Sequence, residues 1–459
     1  MSDNLKKPPK NLQKNLPRFF MYWAISVFFI KVAIILQIDG VYAGSAGKMF
    51  FVDGAWLGAD GENYLTGLNA LLEDGIFSNE GLLNYWPAGY PLFMLFLSIF
   101  GKSWLLTTLS FVQSFLFSYA AYLFATQLYR TRLKYFSYLT LLVILLNPTL
   151  SLNSISIGYE SIAASGILII FALIIKSFIG KSDENFFHYL IVSAFISSLL
   201  VSVQPRLIVT CLVINFAWII AKKGAKASVL FLIVSLAITL IFPTSLIYRN
   251  NKAVGLNSIS TNLGVTMNIG AGDNATGGYM GQGYGVPCNL SGNTVQQDGQ
   301  RVRCVLDWYL KNPSKAVELF YNKSIYFWSP WVGPLANGTM ARNPWLNISP
   351  LKSVASTQKG YDFIFGPIGK SISWLWLLGG LFLMFHGFLK LWRLNSLERF
   401  IASIAMVIIS TNWLISLISI GDHRFRVPIM GASLFLQVVG LKSLIGGRKV
   451  FMVDGPSLR

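Results

Sequence analysis

The chain has 459 residues, of which 54% are hydrophobic and 12% charged, with a net charge of +18 and a mean hydropathy of +0.55. A soluble domain carries about a quarter charged residues, so this composition excludes an ordinary soluble fold and points to a polytopic membrane protein. The excess of cations does not indicate a nucleic-acid partner, because they fall in small clusters between apolar runs, the positive-inside pattern.

Residues 1–18 are Lys-rich and polar and read as a short cytoplasmic tail. The apolar run 19–38 is followed by Val41, Tyr42 and Ala43, as a signal peptide would be, but it exceeds a typical signal core and reads as a retained first span. Residues 39–103 then form an external loop with juxtamembrane helices. Within it, GADGENYLTGLNALLEDGIFSNEGLLNYWPAGYP (58–91) is an acidic island, and Tyr64, Leu65, Leu68, Leu71 and Leu72 recur at helical spacing after Asp60. Asp60 stands where that helix begins, so a simple N-cap is its bland reading. The apolar stretch 87–100, at about 14 residues, is short for a span and suits a re-entrant or interfacial helix.

Residues 104–248 hold spans two to seven, at 104–128, 135–150, 162–179, 187–203, 207–220 and 229–248. A large external loop, 249–370, is rich in Gly, Asn, Ser and Pro. Three further spans (371–388, 400–420 and 427–445) occupy 371–445, and 446–459 is a cytoplasmic tail. The fold class is therefore all-α integral membrane, with about ten transmembrane helices. Cys288 and Cys304 share the external loop, an oxidising location that favours a disulfide over two free thiols. The ionisable Lys31 inside the first span reads as paired within the bundle or snorkelling. His386 and His188 read as structural and interfacial. Five Asn-x-Ser/Thr sequences start at Asn274, Asn289, Asn322, Asn337 and Asn347; Asn- and Ser-rich loops generate such triplets readily.

The ends of the spans on the external side collect an unusual set: Asp60 and Glu62, then Glu160, Arg206, Arg249, and Asp422, His423, Arg424 and Arg426 in GDHRFRVPI. Short external loops normally avoid Lys and Arg, so cations there call for an anion such as a lipid-linked phosphate, which the arginine fork suits. Lipid headgroups, or pairing with Asp422 or Glu160, are the alternative. Trp86, Trp328 and Trp331 can stack on sugar or prenyl groups or anchor at the interface.

ADGENYL with Asp60 and Tyr64, LLEDGIFS, YWPAGYPLF, YRNNKAVGLNSISTNLGVTMNIGAGDNATGGY and HRFRVPI together resemble, in order and placement, polytopic type C (GT-C) glycosyltransferases. The resemblance is to the dolichyl-phosphate-mannose–protein mannosyltransferase family and its bacterial relatives, including lipid A aminoarabinose transferases. It implies a GT-C-like bundle and an inverting transfer from a polyprenyl-phosphate sugar to a lipid, protein or glycan acceptor. It further implies a site facing the periplasm of a bacterial inner membrane, and no nucleic acid. By match, Asp60 is the general base. Where the family has Asp-Glu adjacent, Gly61 intervenes and Glu62 stands as a possible second acid. Arg206, His423, Arg424 and Arg249 are the candidate phosphate ligands, and Tyr64 and Trp86 the candidate sugar or acceptor contacts. Some related enzymes work without metal and the resemblance implies no certain cofactor, while Asp60 with Glu62 offers a place for a divalent cation. A transporter or flippase of lipid-linked sugars, and an O-antigen ligase or polymerase, are the rival readings. Against the transporter, the ionisable residues gather at one membrane face rather than at the midplane.

Overall fold

The computed structural model describes residues 18–38, 41–43, 49–57, 60–179, 184–224, 226–279, 285–330, 353, 357–360, 366–394 and 396–446. Trp331, the sequences at Asn337 and Asn347, and both expected tails but for Arg18 and Gly446 lie outside them. Among the described residues, eight helices are long and apolar enough to cross a membrane, or nine if one bent pair is a single span.

The chain begins with α1 (Arg18–Ile35), a hairpin of β1 (Val41–Ala43) and β2 (Met49–Phe51), and β3 (Trp56–Leu57). Three short helices follow, α2 (Gly61–Asp74), α3 (Leu82–Tyr85) and α4 (Gly89–Leu97). The helix α4 runs on as a 3-10 turn to Phe100, a short apolar segment rather than a span. The long α5 (Leu105–Tyr129) leads to α6 (Lys134–Leu146), α7 (Pro148–Leu152), β4 (Ser156–Ile157), α8 (Glu160–Ile179), α9 (Glu184–Val203) and α10 (Leu207–Lys223). Next come α11 (Val229–Thr239), α12 (Ile241–Val254), α13 (Leu263–Ile269), α14 (Thr294–Lys311) and α15 (Pro313–Trp328). Finally α16 (Pro367–Trp392), α17 (Ser396–Ile418), a 3-10 helix (His423–Ile429) and α18 (Met430–Gly446) close the described chain.

All ten expected segments are helical, and two of them depart from a simple long span. The third is broken. Pro148 cannot donate an N–H to the preceding turn and pushes its neighbour toward extended backbone. Asn147 accordingly lies at φ −63°, ψ 117°, its side chain accepts from the Leu150 N–H, and the two arms meet at 56°. The sixth, α10, has 17 residues, about 25 Å at 1.5 Å per residue, which leaves it short of the hydrocarbon thickness.

Polar side chains buried among the helices hold the chain that leads to the site. Tyr90 Oη donates to Gln113 Oε1 (3.1 Å) and accepts from the Gly158 N–H (2.8 Å). Gln113 Nε2 donates to the Ser154 and Ser156 carbonyls at 3.2 and 3.0 Å. Lys31 is buried, donates to Ser154 Oγ at 3.0 Å and lies 4.3 Å from the centre of the Phe117 ring. It is thus paired within the bundle. Residues 153–158, which would otherwise strand backbone groups in an apolar medium, are fixed by these bonds, and β4 pairs in parallel with β3, Trp56 opposite Ser156 and Leu57 opposite Ile157.

The segment α13–α15 forms a small helical unit with its own apolar cluster, built on Met267, Val305, Tyr309 and Leu319. Cys288 and Cys304 are joined by a disulfide across it. Lys323 couples this unit to the bundle. Its side chain is fully buried and its Nζ donates to Tyr309 Oη (2.6 Å) and to the carbonyl of Leu417 (3.0 Å) at the end of α17.

Burial pushes the Lys323 amine down to about 7 from its ordinary 10.5. Between those two values the unfolded chain keeps a proton that the folded chain has lost, so this residue makes stability rise with pH across that window and flat below it. Thermal unfolding in detergent should therefore show a wild-type minus Lys323→Met difference that shifts in favour of wild type from pH 7 to pH 10. A difference independent of pH would show the amine to be charged throughout.

Candidate active site

The parallel pairing of β3 with β4 sets the site. Three residues beyond Leu57 stands Asp60, and three beyond Ile157 stands Glu160, each at the start of a helix. Two carboxyl groups exactly 100 positions apart in the chain are therefore brought to neighbouring helix N-termini, where the backbone dipole favours negative charge. Asp60 does not use its side chain to cap α2, so the simple N-cap reading fails. Its Oδ2 instead accepts from Arg424 Nη1 at 2.8 Å, an ion pair with both side chains less than a fifth exposed.

Arg424 belongs to the 3-10 helix that follows Gly421. Asp422 caps that helix, its Oδ1 accepting from the Arg424 N–H at 2.9 Å, and its Oδ2 lies 3.6 Å from Arg424 Nε. His423 Nδ1 is 3.9 Å from Asp422 Oδ1. Glu160 is fully buried, neither carboxylate oxygen meets a partner from another of the described residues, and it lies within electrostatic reach of Arg424, Asp60 and Asp422. Burying a carboxyl group without hydrogen bonds is costly.

Arg206 enters from the start of α10. It donates to Asn412 Oδ1 (3.1 Å) and Ser416 Oγ (2.7 Å) on α17 and lies 3.7 Å from the centre of the Phe425 ring. The Arg424 guanidinium is 5.2 Å from that ring, so one aromatic side chain holds both cations close without a direct bond between them. Arg206 keeps an enclosed Nε–H with no acceptor among the described residues. Tyr64, one turn beyond Asp60, is buried with its ring centre 4.8 Å from that of Tyr90. Burial, then the charges of Asp60 and Glu160, raise its phenol well above the usual range, and Tyr159 is raised by burial and Glu160 in the same way. Both phenols stay neutral and form the floor of the site.

Several residues singled out from the sequence are placed elsewhere. Arg249 does not join the cations: it is buried and donates to the carbonyls of Ile76 and Ser78 and to the side chains of Asn84 and Asn250. Those acceptors occupy its fork, and it ties α12 to the loop between α2 and α3. Trp86 ends α3, half-buried, with its ring against Tyr85. Glu62 lies in the first turn of α2, half-buried. For a divalent cation, Asp60 is the carboxylate that any pair with Glu62 would need, and Arg424 already holds it. Among the described residues no group of three or more His, Cys, Asp or Glu is arranged to hold a metal ion. Glu160 was visible in the sequence only as one acidic residue among several; its approach to Asp60 depends on strand pairing across a hundred positions.

Fold and site together define an α-helical integral membrane protein with a carboxyl–arginine centre at one end of its helices. No protein-family model matches the chain, and no curated protein matches it. Among solved structures it is similar to the archaeal oligosaccharyltransferase AglB from Archaeoglobus fulgidus, determined in complex with an inhibitory peptide and a dolichol-phosphate. The TM-score is 0.44 and the identity 14%, over 96% of this chain and 53% of that one, so the chain spans about half the length of the structure it matches.

Removing one partner of a buried ion pair costs up to about 3–5 kcal/mol, less when the pair is partly exposed. Asp60→Asn and Arg424→Gln should each lower the unfolding midpoint in detergent, and the double variant should fall by much less than the sum. Additive losses would show that the pair carries no coupling.

Proposed function

We propose that this protein is a membrane glycosyltransferase that moves a sugar from a polyprenyl-phosphate donor to an acceptor hydroxyl, with inversion, and that Asp60 is its general base. The observation that carries this reading is the Asp60–Arg424 pair, which sets a base beside a permanent cation at the end of the helix bundle, against a buried carboxyl group. The order of sequence motifs that resembles polytopic type C glycosyltransferases supports it independently, and by that resemblance the proposed site faces the periplasm of a bacterial inner membrane.

The chemistry follows from the residue types. An acceptor hydroxyl attacks the anomeric carbon, forming a carbon–oxygen bond as the bond to the phosphate oxygen breaks. The hydroxyl proton passes to the Asp60 carboxylate, and polyprenyl phosphate departs with the bonding pair. A positioned base contributes about 10²–10⁴-fold, and cations aimed at the leaving phosphate stabilise the charge that develops there. Before the donor arrives, Arg424 neutralises Asp60. An incoming phosphate offers Arg424 a second anion, which loosens the pair and restores basicity to the carboxylate as substrate binds. Arg206 and His423 stand on either side of Arg424 to share the phosphate. Glu160, rather than Glu62, is the second carboxyl group of the centre and orients the acceptor hydroxyl toward Asp60.

A carrier that only moves lipid-linked sugars would use the same cations without the base. Incubating purified protein with radiolabelled polyprenyl-phosphate sugars separates the two. Wild type should release or transfer sugar, while Asp60→Asn should bind donor and lose at least about 10²-fold in rate. An Asp60→Asn variant that keeps most of its turnover refutes the assignment of the base. Donor binding without any release by wild type would instead favour the carrier.

A further inference from the structure

Helices α16 and α18 touch backbone to backbone at two glycines. A Cβ on Gly387 would lie 2.0 Å from the Leu436 carbonyl oxygen, and one on Gly440 would lie 2.1 Å from that of Leu383. Between that contact and the site, the two helices line a narrow cleft of about 90 Å³, open at its mouth. Its walls are mostly apolar, with Trp376, Leu377 and Leu381 on α16 and Met430 and Leu434 on α18; Ser373 and the hydrogen-bonded Ser433 and Gln437 interrupt them. Its head is polar and cationic, formed by His423, Arg426 and Asn147, and no Asp or Glu lines it. From Ser373 to Leu381 it follows α16 for about 12 Å at 1.5 Å per residue. The glycine contact closes the far end.

The 3-10 helix explains how this cleft relates to the site. Residues three apart eclipse one another in such a helix, so His423 and Arg426 share one edge while Arg424 points from another toward Asp60. Arg426 donates to the carbonyls of Trp328 and Ser329 at the end of α15, and its Nε to that of His423. These take three of its five N–H groups and leave two for an anion. A slot with a cationic head, mostly apolar walls and a closed foot fits a single-chain lipid bearing one phosphate.

We infer that the cleft between α16 and α18 is the seat of the donor lipid, with its prenyl chain between the helices and its phosphate held by Arg426 together with the His423 and Arg424 of the transferase reading, so that the sugar meets Asp60. This rests on the transferase reading for the identity of the lipid. The experiment uses the full chain in nanodiscs with a sugar-free polyprenyl monophosphate that carries a diazirine in its chain. Photolabelling should map to 373–381 and 430–437 and should be displaced by unlabelled polyprenyl phosphate but not by excess phosphatidylglycerol. Gly380 faces Gln437, with 3.3 Å between an added Cβ and Oε1, so Gly380→Leu fills the slot. It should weaken binding at least about tenfold, the equivalent of roughly two unburied methylene groups.

Label on other helices overturns the assignment, as does equal displacement by phosphatidylglycerol. Mapping on wild type decides the matter even if Gly380→Leu fails to fold. Because the probe has no sugar, a labelled cleft in a protein that transfers nothing leaves this inference standing and sinks the transferase. Transfer with the label elsewhere does the reverse.

Discussion

A single ion pair, Asp60 with Arg424, joins parts of the chain 364 residues apart, and the rest of the site is arranged around it. A guanidinium cannot shed its charge, so Arg424 can leave water only where anions accompany it. Two carboxylates do so, Asp60 before α2 and Asp422 at the cap of its own 3-10 helix, with the Glu160 carboxyl group nearby. The attraction must offset a desolvation cost of several kcal/mol per ion, which it does only if the three supporting elements are held still. The helices are the means of holding them.

That rigidity comes from hydrogen bonds where no water competes. The Tyr90–Gln113 pair engages Gly158, Ser154 and Ser156 and holds the strand that ends three residues before Glu160. Lys31 reinforces Ser154 from the first helix. On the other side Lys323 and Tyr309 reach the last carbonyls of α17, just before Gly421, whose N–H donates to the Gly277 carbonyl. Satisfied buried networks of this kind specify one arrangement. Thus these two networks bracket the segments that carry the charged centre.

Much of this was legible in the sequence, because apolar runs of membrane length and the start of α2 at Asp60 are local features. The errors are also local in origin. Run length did not reveal that Pro148 bends the third segment, although the proline itself was the signal. Arg249 looked like a spare cation because its acceptors are two main-chain carbonyls and two neutral amides, which no charge pattern announces. Glu160 went unassigned because two parallel strands of two residues each leave almost no trace in composition. Arg206 and Arg424 were grouped correctly as neighbours, but the phenyl ring of Phe425 that mediates between them could be found only in three dimensions.

The segment GDHRFRVPI shows why two arginines two positions apart serve different purposes. An α-helix would spread His423, Arg424 and Arg426 around its face at 100° steps; a 3-10 helix eclipses the first and third and turns the second away. Pro428 inside the segment removes an N–H that a continuing α-helix would use, and Asp422 caps the start by accepting from the Arg424 N–H. The same aspartate stands beside the Arg424 guanidinium. One residue therefore sets both the backbone geometry and the charge environment. The tight helix is what separates a carboxylate-facing cation from the pair of residues at the mouth of the cleft.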